Sequence, residues 1–202
     1  METVKPEENE KLVKPITIQE ITQFIKTLSP HKAPGITGLT SAFYITFWDK
    51  IKNLVLNATN SILLETKRLP NRQNIGIITL IPKQDKDQRH IGNLRPITLL
   101  STFYKIISGI ITNRLKPILE RLINPWQKAY LPGRYIAEVT RTTYDIFAHA
   151  KHNNLPGLLL LVDFSKAFDS ISFEYINQVL EKYGFNQQTM DGSTYYCTIL
   201  KA

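Results

Sequence analysis

The sequence predicts an α+β fold in which helices pack on a small mixed or antiparallel sheet, and three observations support this prediction. Apolar residues recur at helical spacing in four stretches. These stretches are residues 18–28, 43–62, 104–122 and 136–152. Two runs rich in β-branched residues, 75–82 and 93–100, flank a polar linker of the kind that closes a hairpin. A third apolar run, residues 158–162, has the length and composition of a strand buried on both faces.

The composition is that of a globular protein with an anionic partner. The 202 residues are 43% hydrophobic and 21% charged, and the formal net charge is +8. The positive excess lies within residues 67–141, the basic block, where fourteen Lys and Arg stand against four Asp and Glu. The rest of the chain is slightly acidic. Such a block is typical of nucleic-acid binding, and an ordinary solvated basic face is the alternative interpretation.

The N-terminal part of the chain is predicted to be helical after a flexible start. Residues 1–15 are polar, with four Glu among the first ten, and we expect them to be a flexible lead-in. Thr17 and Glu20 have the spacing of a capping box, in which each side chain accepts a hydrogen bond from a backbone amide at the helix start. Ser29 and Pro30 should end this helix.

The two later helical stretches each have a predicted buried face. In the first of them, Pro117 should kink or divide the helix. Its apolar face consists of Tyr104, Ile107, Ile111, Leu115, Ile118 and Leu122. In the second, the plausible buried residues are Val139, Ile146, Phe147 and Ala150.

The stretch Leu161–Ser172, LVDFSKAFDSIS, begins in the third apolar run and leaves it at a carboxylate, Asp163. A carboxylate that ends a buried strand is a candidate ligand for a metal at a phosphate site. An Asp in this position is also a common turn residue that bonds its own backbone. The spacing alone leaves both roles open.

Four further segments have a distinctive order of residue types. They are HKAPGITGLT (31–40), IPK (81–83), NLRPI (93–97) and QKAYLPGR (127–134). Together with Leu161–Ser172, and in this order along the chain, they resemble the motifs of the reverse transcriptase domain of non-LTR retrotransposons, of the long interspersed element type. Thr37 stands where that family usually has Asp, which weakens any role of the first segment that needs a carboxylate.

The resemblance implies the fingers and part of the palm of a right-hand polymerase, with the thumb absent. It divides the chain into a helical extension of the fingers (16–66), the fingers and first half of the palm (67–188), and a divergent tail (189–202). Members of the family take further acids from a later Tyr- or Phe-Ala-Asp-Asp hairpin, a motif that the sequence does not contain. We therefore expect a truncated reverse transcriptase domain, inactive by itself.

The resemblance also implies a site for Mg²⁺ and an incoming deoxynucleotide. The Asp163 carboxylate and the Phe164 backbone carbonyl would bind Mg²⁺, which prefers oxygen ligands. The Phe168 ring would exclude a 2′-hydroxyl, and a core aromatic at this turn is the alternative. The other nucleotide-binding residues that the family implies are Ser165, Lys166 and Ala167, through backbone amides, and Lys83 and Arg95, through their charges.

The cations of the hairpin and of the loop after the third helical stretch each have two interpretations. For Lys83 and Arg95, the alternative to phosphate binding is a solvated charge on a sheet edge. The resemblance places Lys128 and Arg134 beside the template strand. Trp126, in the same loop, is either a base-stacking residue or a packing anchor.

The implied partners are an RNA template, a DNA primer and a deoxynucleoside triphosphate, with a second chain as one source of the missing half of the palm. The single cysteine, Cys197, excludes an internal disulfide and suits a reducing compartment. The acidic N-terminus is unlike a signal peptide, and no apolar run reaches the roughly 18 residues of a membrane span. We therefore expect a cytoplasmic or nuclear protein that does not contact a membrane.

Two other functional hypotheses are compatible with the sequence. One is a non-catalytic RNA-binding or general nucleic-acid-binding module that uses the basic block. The other is a marginal product that barely folds, because half of a palm leaves apolar strand edges unpaired.

Overall fold

Helices and a β-hairpin form the regular structure of the chain in the computed structural model, which describes residues 2–66, 69–70, 73, 75–164, 170–187 and 189. Among the described residues the α-helices are α1 (Pro6–Val13), α2 (Ile18–Thr27), α3 (Ser41–Asn60), α4 (Thr102–Leu122), α5 (Ala137–His152) and α6 (Phe173–Lys182), and short π- and 3-10-helical turns lie at Ser61–Thr66 and Ile91–Asn93. The strands are β1 (Ile77–Pro82) and β2 (Leu94–Leu99). Among the described helices, none is long and apolar enough to cross a bilayer.

The predicted hairpin is confirmed. Strands β1 and β2 pair antiparallel, with Ile77 opposite Leu99 at one end and Pro82 opposite Leu94 at the other. They form a two-stranded sheet, and the described residues contain no other sheet. The small antiparallel sheet beside several helices confirms the α+β class.

The main core lies where α2, α3 and α4 meet. Ile21 and Ile25 of α2 pack with Ile106 and Ile110 of α4, and Val55 of α3 completes the contact. Each fully buried isoleucine side chain contributes roughly 1.5–3 kcal/mol to folding. The predicted apolar face of α4 is confirmed, because five of its six residues are buried and the sixth is packed against the core. The buried five are Tyr104, Ile107, Ile111, Ile118 and Leu122.

Two local predictions about helix ends and breaks have different outcomes. The capping box that opens α2 is confirmed: Thr17 Oγ1 accepts from the Glu20 amide at 3.2 Å, and Glu20 Oε2 accepts from the Thr17 amide at 2.8 Å. Of the two outcomes predicted for Pro117, division of the helix is wrong, because α4 runs through it from Thr102 to Leu122, while a kink stays a prediction.

Arg114 joins α4 to the connection between α1 and α2. Its guanidinium donates to both carboxylate oxygens of Glu20, at 2.7 and 3.0 Å. It also donates to the backbone carbonyls of Leu12 (3.2 Å), Lys14 (2.6 Å) and Pro15 (3.0 Å). These contacts use all five donors of the guanidinium, so the charge is fully compensated although the side chain is only 14% exposed.

The N-terminal residues differ from the expected flexible lead-in. Residues 6–13 form α1, and the side chains of Val4 and Leu12 are buried against Ile118 and Leu122 of α4. The many glutamates of this segment suggested that it is solvated, but two of its few apolar residues, Val4 and Leu12, lie together on the side that faces α4. The acidic residues are compensated in part by α4, whose Arg121 pairs with Glu2 and Glu8.

The prediction that residues 158–162 form a strand buried on both faces was wrong. The structure shows no strand there, and Leu158 and Leu161 are 95% and 83% exposed. The expected buried side of α5 is exposed too, since Val139, Ile146 and Phe147 are all open to solvent. Burial of either segment needs packing neighbours, and the described sheet ends at β1 and β2.

A substitution of Gly109 that adds one methyl group tests the packing of α4 on α2. A Cβ at this position would overlap the ring of Phe24. We expect Gly109→Ala to lower the free energy of unfolding by about 1–2 kcal/mol, because overpacking outweighs the better helix propensity of alanine. Urea denaturation measures it. Gly92→Ala is the control, since open space surrounds Gly92 and its effect should stay within about 0.5 kcal/mol. Equal effects of the two substitutions would contradict this account of the packing.

The Glu20–Arg114 pair predicts a pH dependence of stability. Burial alone would raise the pKa of Glu20, but hydrogen bonds from Arg114 and Thr17 outweigh it, so the pKa lies below the ordinary value of 4.5. Between the folded pKa and 4.5, the unfolded chain therefore binds more protons than the folded chain. The stabilisation by Glu20 is present above pH 4.5 and is lost as the pH falls through the folded pKa.

We expect Glu20→Gln to lower the unfolding free energy by about 1–2 kcal/mol at neutral pH, and this difference to shrink in acid. Urea denaturation from pH 7 to pH 3 measures it. In an Arg114→Met background the pH dependence of the Glu20→Gln effect should become smaller, because the hydrogen bonds from Arg114 are gone while those from Thr17 remain. A difference that stays constant down to pH 3 would contradict the prediction.

Candidate nucleotide and nucleic-acid site

The hairpin brings Lys83 and Arg95 onto one face. Arg95 lies opposite Ile81 in the register of the sheet. The Lys83 amide donates to the Asn93 carbonyl at 2.8 Å, which extends the ladder by one pair beyond Pro82. Because side chains alternate along a strand, Lys83 and Arg95 fall on the same face as diagonal neighbours, with Cβ atoms typically about 7–8 Å apart.

The two cations differ in how freely they can bind a ligand. The Lys83 ammonium donates to the Gly92 carbonyl at 2.8 Å on the exposed side of the turn, which leaves two of its three donors. The exposed Arg95 guanidinium makes no hydrogen bond or ion pair with another described residue. A compact charge beside a planar fork is a combination that can bind adjacent phosphate groups.

The hairpin exit is braced by the Pro-Gly loop, residues 31–40. Gly35 lies directly against the backbone of Leu100 and Ser101, so that a side chain there would overlap it. The Thr102 hydroxyl donates to the Leu39 carbonyl at 2.8 Å. The Ser101 hydroxyl in turn accepts from the Tyr104 amide and caps α4. The loop therefore fixes the junction between β2 and α4 and, through it, the base of the hairpin.

Asp163 lies on a different segment, between α5 and α6. Its side chain is exposed, and no hydrogen bond or ion pair joins it to Lys83 or Arg95. The neighbouring Phe164 is 80% exposed. An aspartate carboxylate and a backbone carbonyl are hard oxygen ligands of the type that Mg²⁺ accepts, and this ion usually completes its shell with water and substrate phosphate. Over the described residues, no three His, Cys, Asp or Glu side chains cluster as a metal site.

The rest of the predicted nucleotide site lies outside the described residues. It consists of Ser165, Lys166, Ala167 and Phe168. Their roles stay predictions.

Arg134 has a structural role that the sequence did not suggest. Its guanidinium donates to four backbone carbonyls, those of Glu120 (2.8 Å), Ile123 (2.7 Å), Asn124 (2.6 Å) and Gln127 (2.7 Å). These carbonyls lie at and just beyond the C-terminal end of α4, where helix carbonyls have no partners within the helix. A cation there is also favoured by the helix dipole. Arg134 therefore closes α4 and shapes the following loop.

Lys128 is also engaged within the chain. Its ammonium pairs with the Glu138 carboxylate of α5 at 2.6 Å, and its side chain is only 20% exposed. The two aromatic side chains of the same loop are in the opposite situation, since Trp126 and Tyr130 are 77% and 92% exposed. The structure therefore excludes the packing-anchor interpretation of Trp126 within the described part of the chain.

Sequence reasoning missed the internal use of the arginines in the basic block. Arg114, Arg121 and Arg134 each bind several backbone or carboxylate oxygens of the chain. A signal was present for Arg114, because it lies four residues after Ile110 and four before Ile118 on the buried line of α4. An arginine on that line needs internal partners. No comparable pattern marks Arg134, whose partners are backbone carbonyls.

Arg134→Met tests the closing of α4. We expect it to lower the free energy of unfolding by about 1–2 kcal/mol, because four carbonyls lose their donor and water replaces it only in part. Arg134→Lys should recover part of this loss. Lys116→Met is the control, since it removes the same charge from an exposed residue of α4 whose ammonium, among the described residues, donates only to the Asn113 side chain. Urea denaturation of the three variants measures it, and equal stability of Arg134→Met and Lys116→Met would disprove the structural role.

Comparison with known proteins connects these features to a family. A family model described as "Reverse transcriptase (RNA-dependent DNA polymerase)" matches residues 81–200, which is more than half of the chain. The chain is also similar to the "Transposon TX1 uncharacterized 149 kDa protein" of Xenopus laevis. The two are 34% identical over 185 residues, which cover 92% of this chain and 14% of the relative.

Two further relatives agree with this match. The "Retrovirus-related Pol polyprotein from type-1 retrotransposable element R2" of Popillia japonica is 30% identical over 178 residues, 87% of this chain and 23% of the relative. The "Probable RNA-directed DNA polymerase from transposon BS" of Drosophila melanogaster is 27% identical over 165 residues, 79% and 18% respectively. The chain thus spans less than a quarter of the length of these relatives. It belongs to the reverse transcriptase family, within the group found in non-LTR retrotransposons.

Proposed function

We propose that this chain serves RNA-templated DNA synthesis as the fingers and the first part of the palm of an RNA-directed DNA polymerase. The observation that carries the proposal is the family match over residues 81–200, which includes Lys83, strand β2 with Arg95, and Asp163. The register of the hairpin supports it, because Lys83 and Arg95 share one face at the start of that match. An RNA template, a DNA primer and a deoxynucleoside triphosphate are the partners that this function requires.

In this proposal the hairpin holds the triphosphate of the incoming nucleotide. The primer hydroxyl attacks the first phosphorus, the bond to the bridging oxygen breaks, and pyrophosphate leaves. Negative charge accumulates on the phosphate oxygens during this displacement. Arg95 can bind two oxygens through its fork, and Lys83 adds a point charge next to it. The Arg95 side chain is exposed and that of Lys83 is partly exposed on the hairpin, so both can reach a ligand from solvent.

Asp163 and the Phe164 carbonyl are the proposed magnesium ligands of the chain. Mg²⁺ bound there would neutralise phosphate charge and stabilise the reacting oxygens. Polymerisation uses two such ions, whose four positive charges one carboxylate offsets only in part. We infer that the remaining carboxylates come from outside these 202 residues, either from a longer polypeptide or from a second chain. The 202-residue segment alone is therefore proposed to be inactive as a polymerase.

The loop between α4 and α5 is the proposed contact for the template strand. Exposed Trp126 and Tyr130 can stack on bases, since stacking needs only an accessible ring. Lys128 is paired with Glu138, so it would contact a phosphate only by leaving that partner. Arg134 contributes indirectly, by holding the loop against the end of α4.

Nucleotide binding by the 202-residue chain tests the role of the hairpin. We expect Lys83→Ala and Arg95→Ala each to weaken the binding of magnesium-bound dTTP about tenfold, which corresponds to roughly 1.4 kcal/mol for one charge-assisted contact. Isothermal titration calorimetry measures the affinity. Lys26→Ala is the control, because Lys26 is an exposed cation at the far end of α2. A wild-type chain that binds no nucleotide, or three variants with the same affinity, would contradict the proposed role.

Primer extension on an RNA template gives a second readout, for the wild-type segment and for Asp163→Ala. The wild-type segment should extend no primer in the presence of Mg²⁺. Robust synthesis that is lost in Asp163→Ala would overturn the proposed inactivity and leave the role of Asp163 supported. A different result would favour a non-catalytic nucleic-acid-binding module: RNA binding that weakens with salt, together with a nucleotide affinity that is the same in Lys83→Ala, Arg95→Ala and the wild type.

A further inference from the structure

Two segments that lie far apart in the sequence meet at α1. The Val4 amide donates to the Tyr183 carbonyl at 2.8 Å. The Asn9 side chain bonds the same turn in both directions: its Nδ2 donates to the Gly184 carbonyl at 2.8 Å, and its Oδ1 accepts from the Asn186 amide at 3.0 Å. One buried amide side chain thus satisfies two backbone groups of the turn that follows α6.

Apolar burial accompanies these bonds. Val4, Leu12, Ile118, Leu122 and Phe185 form a second buried cluster, separate from the main core. It combines side chains from the N-terminal residues, from the end of α4 and from the turn after α6. Each of the three parts is needed to cover the others, because none has an apolar surface large enough to bury itself.

The position of α6 depends on this junction. No side chain of α6 is buried, while Leu180 and Tyr183 at its end are partly buried against the second cluster. Gly184 then turns the chain with φ of +84°, a conformation that favours glycine. The turn therefore presents its carbonyls and amides to Asn9 in one fixed arrangement.

Ion pairs attach the opposite side of the N-terminal residues to α4. The Arg121 guanidinium pairs with Glu2 at 3.0 Å and with Glu8 at 2.7 Å, and it donates to the Thr3 carbonyl at 3.1 Å. The N-terminal residues are thus bonded to α4 on one side and to the turn after α6 on the other.

We propose that residues 2–13 form a strap that holds the end of α6 against α4, with Asn9 as the residue that positions the turn at Tyr183–Asn186. The strap lies outside the residues that match the family model, which begin at Ile81. It does not depend on the proposed polymerase function. The strap bears on the candidate site because it holds α6, and α6 begins only ten residues beyond Asp163.

Amide hydrogen exchange by NMR on the full chain tests the strap. Asn9→Leu keeps the size of the side chain but removes both hydrogen bonds, so the junction should open locally. We expect exchange at the Val4 and Asn186 amides and across α6 to become at least tenfold faster. Exchange at buried residues of the main core, such as Ile25 and Ile107, should change less than twofold.

Two further variants make the result decisive. Asn9→Asp retains the acceptor for the Asn186 amide and loses the donor to Gly184, so Asn186 should stay protected while α6 exchanges a few times faster. Glu10→Gln, on the exposed side of α1, is the control and should match the wild type.

Three outcomes would overturn the proposal. The first is unchanged exchange in α6 when Asn9 is leucine. The second is an equal acceleration throughout the chain, since Asn9 would then support global stability and not a local strap. The third is loss of cooperative folding in both Asn9 variants, which would show that the N-terminal residues are an inseparable part of the core.

Discussion

The Arg114 guanidinium is the contact on which the packing of the first half of the chain depends. It lies on the buried line of α4, between Ile110 and Ile118, and it meets the Glu20 carboxylate and three backbone carbonyls at the α1–α2 connection. A charge in this position is compatible with burial because each of its five donors is used. The same residue aligns α1, α2 and α4, so the main core and the second cluster share one anchor.

The arginines show how misleading a net charge can be as a guide to binding. The basic block carries most of the positive charge of the chain, yet three of its arginines hold the ends and faces of α4. Two other cations of the block, Lys83 and Arg95, share a face of the hairpin, and Arg95 makes no hydrogen bond or ion pair with another described residue. An anionic partner therefore meets a local arrangement of charges and not a uniformly basic surface, and phosphate recognition is expected at the hairpin.

The candidate site has two parts, the hairpin cations and Asp163, and no hydrogen bond or ion pair joins them among the described residues. The hairpin is braced at its exit by the Pro-Gly loop, whereas Asp163 follows an exposed apolar segment after α5. In the proposed function, both act on the same nucleotide. The exposure of residues 158–162 and of the apolar side of α5 is consistent with the proposal that further palm residues, from the same polypeptide or another, complete this region.

Local sequence patterns determined the helices around the core and the hairpin. The capping box at Thr17, the apolar line of α4 and the β-branched runs express periodicity and backbone bonding, which act over a few residues. The order of motifs also identified the family. The tertiary structure alone decided that Arg134 closes a helix, that the acidic N-terminus folds as α1, and that residues 158–162 remain exposed. Each of these depends on neighbours distant in the sequence, or on their absence from the described residues, and no local pattern contains that information.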